Sequence, residues 1–370
     1  MPAPYKLTSV NVERFTSFEH ASLDIKDLNV LIGPNGAGKS NFLALFDMLG
    51  SLIDQQLGRW VAEQGGMDRV LFGGVKRSDD LYIKLGFGGD RHGYEVVLVP
   101  APGGGVSFGD EVAWGRGRLH TSPNTLQLGA GQSETRLIDS AKELGNRAAT
   151  ATIDCIRGWV RYHFHDTSPT AGIKQPQKIG DSRGLRRDGR NLAPFLFRLQ
   201  ETNDPSLTRI RDAMRTVAPF FDDFVLRPDP IAADSIRLEW RHRDSDVYAD
   251  ASMLSDGSLR FLCLATVLLQ PDPPSVVLID EPELGLHPYA ISQLAELLEA
   301  ASKRCQLIVS TQSVTLLDRL DVDDIVIAER VQGSTVLSRL DVSELGHWLE
   351  DYSVGDLWLK NLIGARPKLA

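Results

Sequence analysis

Two stretches of this 370-residue chain carry residue types at spacings that suit phosphate chemistry. In Gly33-Pro34-Asn35-Gly36-Ala37-Gly38-Lys39-Ser40, two glycines flank four residues and a lysine and a serine follow, the pattern of a phosphate-binding loop. Glycines permit backbone conformations that turn successive N–H groups inward, and a following helix adds the positive potential of its N-terminus. Lys39 would reach the β- and γ-phosphates of a nucleotide, Ser40 would bind Mg2+ through its hydroxyl, and Asn41 completes the nucleotide-lining set. The second stretch, Val276-Val277-Leu278-Ile279-Asp280-Glu281, is an apolar run that ends in two carboxylates. Continuous hydrophobics read as a strand buried on both faces, and the C-terminal edge of such strands is where open α/β sheets place ligands. There Asp280 would hold Mg2+, directly or through water, and Glu281 would orient and deprotonate an attacking water.

These residues need elements to position them, and the hydrophobic pattern supplies candidates. Leu7 to Val12, Ala21 to Ile25 and Asn29 to Ile32 read as strands, the last leading straight into the glycine-rich turn. From Ser40, the spacing of Phe42, Leu43, Leu45, Phe46, Leu49 and Leu52 predicts a helix with a wide apolar face. Leu81 to Phe87 and Tyr94 to Val99 read as a β-hairpin, with another reversal at Gly103 to Gly105. Helical patterns dominate from about Glu134 to Val217, including Asn191 to Gln200 and Leu207 to Val217. The remainder reads as strand Ile236 to Arg241, helix Gly257 to Leu269, strand Val276 to Ile279 and helix Pro288 to Lys303. Strands Leu307 to Val309, Asp324 to Ala328 and Thr335 to Leu340 follow. Alternation of this kind implies a mainly parallel sheet with helices on its faces. No internal repeat is visible, and no stretch sustains the heptads of a long coiled coil.

A third motif gives the pattern a family resemblance. Leu254-Ser255-Asp256-Gly257-Ser258, opening a helix, resembles the ABC signature LSGGQ, with Asp256 in place of the first glycine and Ser258 in place of the glutamine. By itself Ser-Asp-Gly before a helix is an ordinary N-cap. Placed shortly before the Val276–Glu281 run, which resembles a Walker B motif with its catalytic glutamate, it makes the chain resemble ABC-type ATPase heads of the RecF and SMC kind. The resemblance implies an α/β P-loop NTPase fold of ABC type, with a mainly parallel sheet, an antiparallel β lobe and an inserted helical subdomain. The lobes would be 1–133 with Walker A, the helical insertion 134–223, and 224–370 with signature and Walker B.

The same resemblance assigns roles residue by residue. Ser255, with Gly257 beside it, would cap the γ-phosphate bound by the opposite protomer. Glu283-Leu284-Gly285-Leu286-His287-Pro288 resembles the segment such heads place at their dimer seam; Pro288 suits a first helical turn, and His287 reads as a helix-start residue rather than a catalytic histidine. Thr311-Gln312-Ser313 stands where the family has its switch histidine. Gln312 can donate a hydrogen bond but cannot carry a proton, so hydrolysis would be slow or would lean on Glu281. Arg14-Phe15-Thr16-Ser17-Phe18 aligns with a segment whose basic position is here Thr16, leaving Arg14 as the phosphate contact. For the Mg2+-sensing Q-loop glutamine the choice is Gln132, with Gln127 and Gln64 as rivals.

Composition bounds the rest. With 42% hydrophobic and 24% charged residues, the chain reads as globular throughout. The N-terminus does not resemble a signal peptide, and the longest apolar run, Phe261 to Leu269, is too short to span a bilayer, so a cytoplasmic protein with no membrane partner is expected. Cys155, Cys263 and Cys305 lack metal-ligand spacing and read as buried free thiols. A formal net charge of −9 disfavours a nucleic-acid-coating surface but leaves room for a local patch at Arg183, Arg186, Arg187 and Arg190, otherwise a solvated loop. Residues 185–192 read as a capped loop opening the next helix. His163 and His165 would share one face of a strand near Asp166, a spacing open to a metal but better explained by structural hydrogen bonds.

In ABC heads a signature cannot close over its own protomer's ATP, so the resemblance implies a homodimer with ATP and Mg2+ at the interface. The long stretch between Lys39 and Ser255 and the absence of a switch histidine set the chain apart from transporter ATPases. Two roles follow: an ATPase coupled to DNA repair, DNA processing or anti-phage defence, or a slow ATPase scaffold gating an effector nuclease. A soluble subunit of a membrane transporter is the third.

Overall fold

The computed structural model describes residues 5–89, 91–116, 124–244, 248–340, 342–360 and 362–363. The chain divides into two compact units, one formed by Met1–Trp159 with Val322–Ala370 and the other by Val160–Asp321.

The first unit begins with β1 (Leu7–Phe15), β2 (Phe18–Asp24) and β3 (Leu28–Ile32), followed by α1 (Lys39–Ile53), α2 (Leu57–Glu63) and α3 (Met67–Val70). Next come β4 (Leu81–Phe87), β5 (His92–Ala101), β6 (Gly105–Gly115), β7 (Asn124–Gln127), α4 (Leu137–Glu143) and α5 (Arg147–Arg157). β8 (Trp159–Tyr162) leads into the second unit, which holds β9 (Gln177–Lys178), α6 (Leu192–Glu201), α7 (Pro205–Val217), β10 (Phe221–Val225), β11 (Ser235–Ile236), β12 (Glu239–His242) and β13 (Tyr248–Asp250). It continues with α8 (Asp256–Leu269), β14 (Val276–Asp280), α9 (Pro288–Ser302), β15 (Gln306–Thr311) and α10 (Val314–Leu317). The chain then returns to the first unit as β16 (Ile325–Val331), β17 (Ser334–Arg339), α11 (Val342–Asp351) and α12 (Val354–Leu359).

In the first unit an antiparallel sheet runs β2-β1-β4-β5-β6-β7, and β3 lies parallel to β16, which pairs antiparallel with β17. The predicted hairpin is β4 and β5, joined through Gly88 and Gly89 in left-handed conformations. β6 was not anticipated, because its sequence, GVSFGDEVAWG, lacks a clean alternation. Its register shifts where Leu98 pairs with Phe108 and Val97 with Asp110, leaving Gly109 as the extra residue of a bulge. Every residue of β3 is buried, and α1 buries Phe42, Leu43, Leu45, Phe46, Leu49 and Leu52, the face its spacing predicted.

In the second unit β14 and β15 run parallel in register, with β8 on the other side of β14. The stretch Ile236 to Arg241, read as one strand, is two. β11 pairs with β9, whereas β12 joins β10 and β13, so the apolar alternation continues while the hydrogen-bond partners change. The fold is mixed α/β, as expected for a P-loop ATPase. The longest described helices, α1 and α9, have 15 residues each, so no long coiled coil is formed among the described residues. None of the described helices is long and apolar enough to cross a membrane. Cys155, Cys263 and Cys305 are free and buried, and burial pushes the Cys155 thiol up to about 12.

Candidate nucleotide site

The phosphate-loop sequence forms a turn between the buried strand β3 and helix α1. Gly38, the residue before the helix, has φ 104°, a conformation that side chains avoid. A Cβ there would also fall on the Thr335 hydroxyl and stand 2.7 Å from the Ser17 hydroxyl. Those two groups brace the turn. The Thr335 hydroxyl donates to Ser17 Oγ at 2.8 Å, the Thr335 N–H donates to the Ser17 carbonyl at 2.7 Å, and Asn41 Nδ2 donates to Ser17 Oγ at 2.9 Å. Asn41 thus faces the brace. The buried Lys39 ammonium donates to the carbonyls of Gly33 (2.6 Å) and Pro34 (3.2 Å), while Asn35, Gly36 and Ser40 are exposed.

Other candidates in the first unit are held elsewhere. Arg14 has φ 59°, and its guanidinium donates to Asp80 at 2.9 Å and to Glu13 at 2.7 Å. A phosphate contact from Arg14 requires that pairing to open. Gln132 donates from Nε2 to Glu111 and to the Gly129 carbonyl, both at 3.2 Å. Glu111 is fully buried and also accepts from Tyr94 at 2.8 Å, from Thr135 and from the Arg136 N–H at 3.1 Å. Burial and the neighbouring Glu111 carboxylate hold the Tyr94 phenol well above its ordinary value. Gln132 therefore completes a polar network inside the antiparallel lobe. Of its rivals, Gln127 ends β7 and Gln64 follows α2.

In the second unit the parallel pair β14–β15 sets Asp280 opposite Ser310. The Ser310 hydroxyl donates to Asp280 Oδ1, and Arg161, from β8, stands 3.0 Å from Oδ2. Arg161 was not singled out in the sequence, where an arginine inside a short strand carries no signal. Glu281 has φ 46°, an uncommon and strained conformation for a side chain of its size, secured by its N–H on the Ser310 carbonyl at 2.9 Å. Gln312, just past β15, donates from Nε2 to Glu281 Oε1. The structure therefore brings together Asp280, Glu281 and Gln312, and it adds Arg161, Ser310 and Glu283. Glu283 accepts from the Thr311 hydroxyl at 2.6 Å and from the Gln312 N–H at 2.9 Å.

The signature-like turn lies in the same unit. Ser255 caps α8, accepting from the Ser258 N–H at 3.1 Å, and remains exposed. Gly257 fits because a Cβ would run into the Gly285 carbonyl. Arg260 then bonds the carbonyls of Leu284 (3.0 Å) and His165 (2.9 Å), so the start of α8 is tied to the segment after Glu281. His287 is the N-cap of α9, its Nδ1 accepting from the Tyr289 N–H at 3.2 Å, which is the helix-start role expected of it.

Two expectations are corrected here. His163 and His165 lie beyond the end of β8 in an irregular segment, so they share no strand face, and the described residues contain no group of three or more His, Cys, Asp or Glu able to hold a metal. Asn191, at the start of α6, makes no cap bond. Its side chain instead accepts from the Arg186 N–H at 2.8 Å and donates to the carbonyls of Asp181 (2.8 Å) and Gly184 (2.9 Å), bracing the arginine-rich loop from within. Arg186 and Arg190 in that loop pair with Asp181 and Asp188.

Comparison with known proteins now bears on this geometry. Residues 142–318 match a family model described as "AAA domain, putative AbiEii toxin, Type IV TA system", and residues 6–56 match one described as an AAA ATPase domain. No curated protein sequence matches the chain. Among solved structures, the chain is similar to an SMC head bound to the C-terminal winged-helix domain of ScpA, with 16% identity, a TM-score of 0.60, and 92% of this chain and 99% of that one covered. It is similar also to an SMC head with an extended coiled coil, bound to the C-terminal domain of ScpA from Pyrococcus furiosus, with 14% identity, a TM-score of 0.59 and coverage of 94% and 99%.

Proposed function

We propose, for a chain that has the fold of an SMC head and matches AAA-family ATPase models over two segments, that it binds ATP with Mg2+ and hydrolyses it. The observation that carries the reading is the loop between β3 and α1, where Gly38 admits no side chain and the Lys39 ammonium lies against the loop's own carbonyls. A glycine-shaped turn at a helix start, with a buried lysine ammonium beside it, suits a polyphosphate. On this reading Gly33, Pro34, Asn35, Gly36, Ala37 and Gly38 wrap the phosphates, Lys39 neutralises them, and the exposed Ser40 offers an oxygen to Mg2+. In the second unit Asp280 supplies a carboxylate for Mg2+. Glu281 is the base toward water, and Gln312, hydrogen-bonded to it, fixes its carboxylate.

The exposed Ser255, N-cap of α8, supports a role in trans, contacting the γ-phosphate of ATP held by a second copy of the chain, so that ATP binding and dimerisation are one event. Lys39→Ala is expected to abolish nucleotide binding. Glu281→Gln is expected to keep it, to lower turnover by about 100-fold or more, and to accumulate an ATP-bound dimer. Normal turnover by Glu281→Gln would remove Glu281 from the mechanism.

What the cycle drives is a separate proposal: a cytoplasmic ATPase whose dimerisation is read by DNA or a DNA-processing partner, in repair or in defence. The alternative is a scaffold in which slow turnover holds an effector nuclease in check. Turnover and oligomeric mass with and without DNA separate the two. Several-fold DNA stimulation, weakening with salt, places the protein on DNA. Slow, DNA-indifferent turnover with a co-purifying nuclease supports the scaffold.

A further inference from the structure

We infer that Glu283 is a positioning residue for hydrolysis: its buried carboxylate holds Gln312 in place, and Gln312 in turn holds the Glu281 carboxylate. The inference rests on the ATPase reading of Glu281 and Gln312. Glu283 is 9% exposed, and a carboxylate withdrawn from water is unfavourable unless hydrogen bonds replace the lost hydration. Only one of its oxygens is so compensated. Oε1 accepts from both the Thr311 hydroxyl at 2.6 Å and the Gln312 N–H at 2.9 Å, whereas Oε2 is buried with no hydrogen-bond partner. Burial accordingly pushes the Glu283 carboxyl above its ordinary value.

A group so poorly satisfied stabilises little, so its worth lies in what Oε1 organises. The Thr311 hydroxyl that donates to it also accepts from the Ser313 N–H at 2.9 Å, and Ser313 caps α10 by accepting from the Leu316 N–H at 3.2 Å. Three consecutive residues at the end of β15 are thereby pinned by one carboxylate oxygen three residues beyond Asp280. The middle residue is Gln312, which donates to Glu281. A glutamine has several rotatable bonds, and its amide stays on Glu281 only while its backbone is fixed. The link to Glu281 thus runs through an acceptor at position 283, and the negative charge there is dispensable.

The test is a double-mutant cycle on the full chain, with turnover read by phosphate release and affinity by a fluorescent ATP analogue. Glu283→Ala is expected to lower kcat about tenfold while ATP affinity changes by less than about twofold, the signature of a defect confined to the chemical step. Glu283→Gln, which keeps the acceptor and loses the charge, should stay within about threefold of wild-type kcat. In a Gln312→Ala background, Glu283→Ala should add less than about a further twofold, because the two residues act through one path. Should Glu283→Ala fail to fold, Glu283→Asp, which withdraws the acceptor by one methylene, takes its place in the cycle. Additive losses, or a fall in affinity that matches the fall in kcat, would overturn the role assigned to Glu283. If instead Glu281→Gln left turnover intact in the same assay, Glu281 would not be the base, and the reading of Glu281 and Gln312 on which this inference rests would fail while Glu283 went untouched, so the two failures are distinct.

Discussion

The phosphate loop of the first unit and the carboxylate end of β14 in the second are built on opposite principles. Residues 33–40 owe their shape to the backbone, through a left-handed glycine at Gly38, a close approach to Ser17 and Thr335, and a lysine resting on carbonyls of its own loop. The region around Asp280 is shaped by side chains that come from far along the chain: Ser310 and Arg161 on Asp280, Gln312 on Glu281, Thr311 on Glu283. A site made of local backbone can be written in eight consecutive letters. One made of cross-strand side-chain bonds depends on which strands become neighbours.

The contrast breaks most visibly if a single methyl group in the loop is tolerated. Gly38→Ala must place a Cβ on the Thr335 hydroxyl while holding φ 104°, which costs about 1–3 kcal/mol for the backbone alone. ATP affinity is expected to fall by about 100-fold, a loss equivalent to ~2.7 kcal/mol, read by the same fluorescent analogue with thermal unfolding as a check on the fold. Asn41→Ala removes only the bond to Ser17 and should cost about 1 kcal/mol of stability with ATP affinity within about threefold. Equal effects from the two variants would mean that side chains shape the loop as much as the backbone does.

On the other side, removing a side chain should change chemistry more than binding. Arg161 is paired with the carboxylate that is proposed to take Mg2+, and a guanidinium and a divalent cation compete for the same oxygens. Arg161→Met is therefore expected to lower the Mg2+ concentration for half-maximal turnover about threefold, the scale of a partly exposed ion pair. A rise in that concentration would show that Arg161 assists the metal site and does not oppose it.

The same contrast explains what could be read from the sequence. The buried strand before the loop, the apolar face of α1 and the apolar run of β14 were legible because each is a local periodicity with a single solution. β6 was not, since its glycines and acidic residues hide a strand whose bulge at Gly109 is set by its partner β5. The break between β11 and β12 is equally invisible, because both halves keep the alternation. Among the candidate residues, Asp280, Glu281 and Gln312 are picked out by the motifs around them and Glu283 only as part of a dimer-seam segment, whereas Arg161 is not picked out, because its pairing with Asp280 has no local signal. Gln132 lies after β7, and its amide is engaged with Glu111, a partner that no spacing rule indicates.

The smallest effect concerns stability and tests whether the Glu283 charge is dispensable. Because burial, with the nearby Glu281 adding to it, raises the folded-state pKa of Glu283 above the ordinary 4.5, the folded chain binds this proton more tightly than the unfolded chain. The stabilisation that this gives is complete below the unfolded value and is lost as pH rises through the folded value. Glu283→Gln keeps the hydrogen-bond acceptor but does not titrate, so its stability relative to wild type should increase as the pH rises from the ordinary carboxylate value through the raised folded-state value. Denaturant midpoints of the two proteins, measured at each pH, give the difference directly, and titrations common to both cancel. A difference that stays constant across this range would mean that the Glu283 carboxyl is not perturbed by folding, and that Oε2 has a partner or water that the hydrogen-bond pattern does not include. A difference that shrinks with rising pH would mean that the charged form is favoured at this position, and the carboxylate would then hold Thr311 and Gln312 by its charge as well as by its shape.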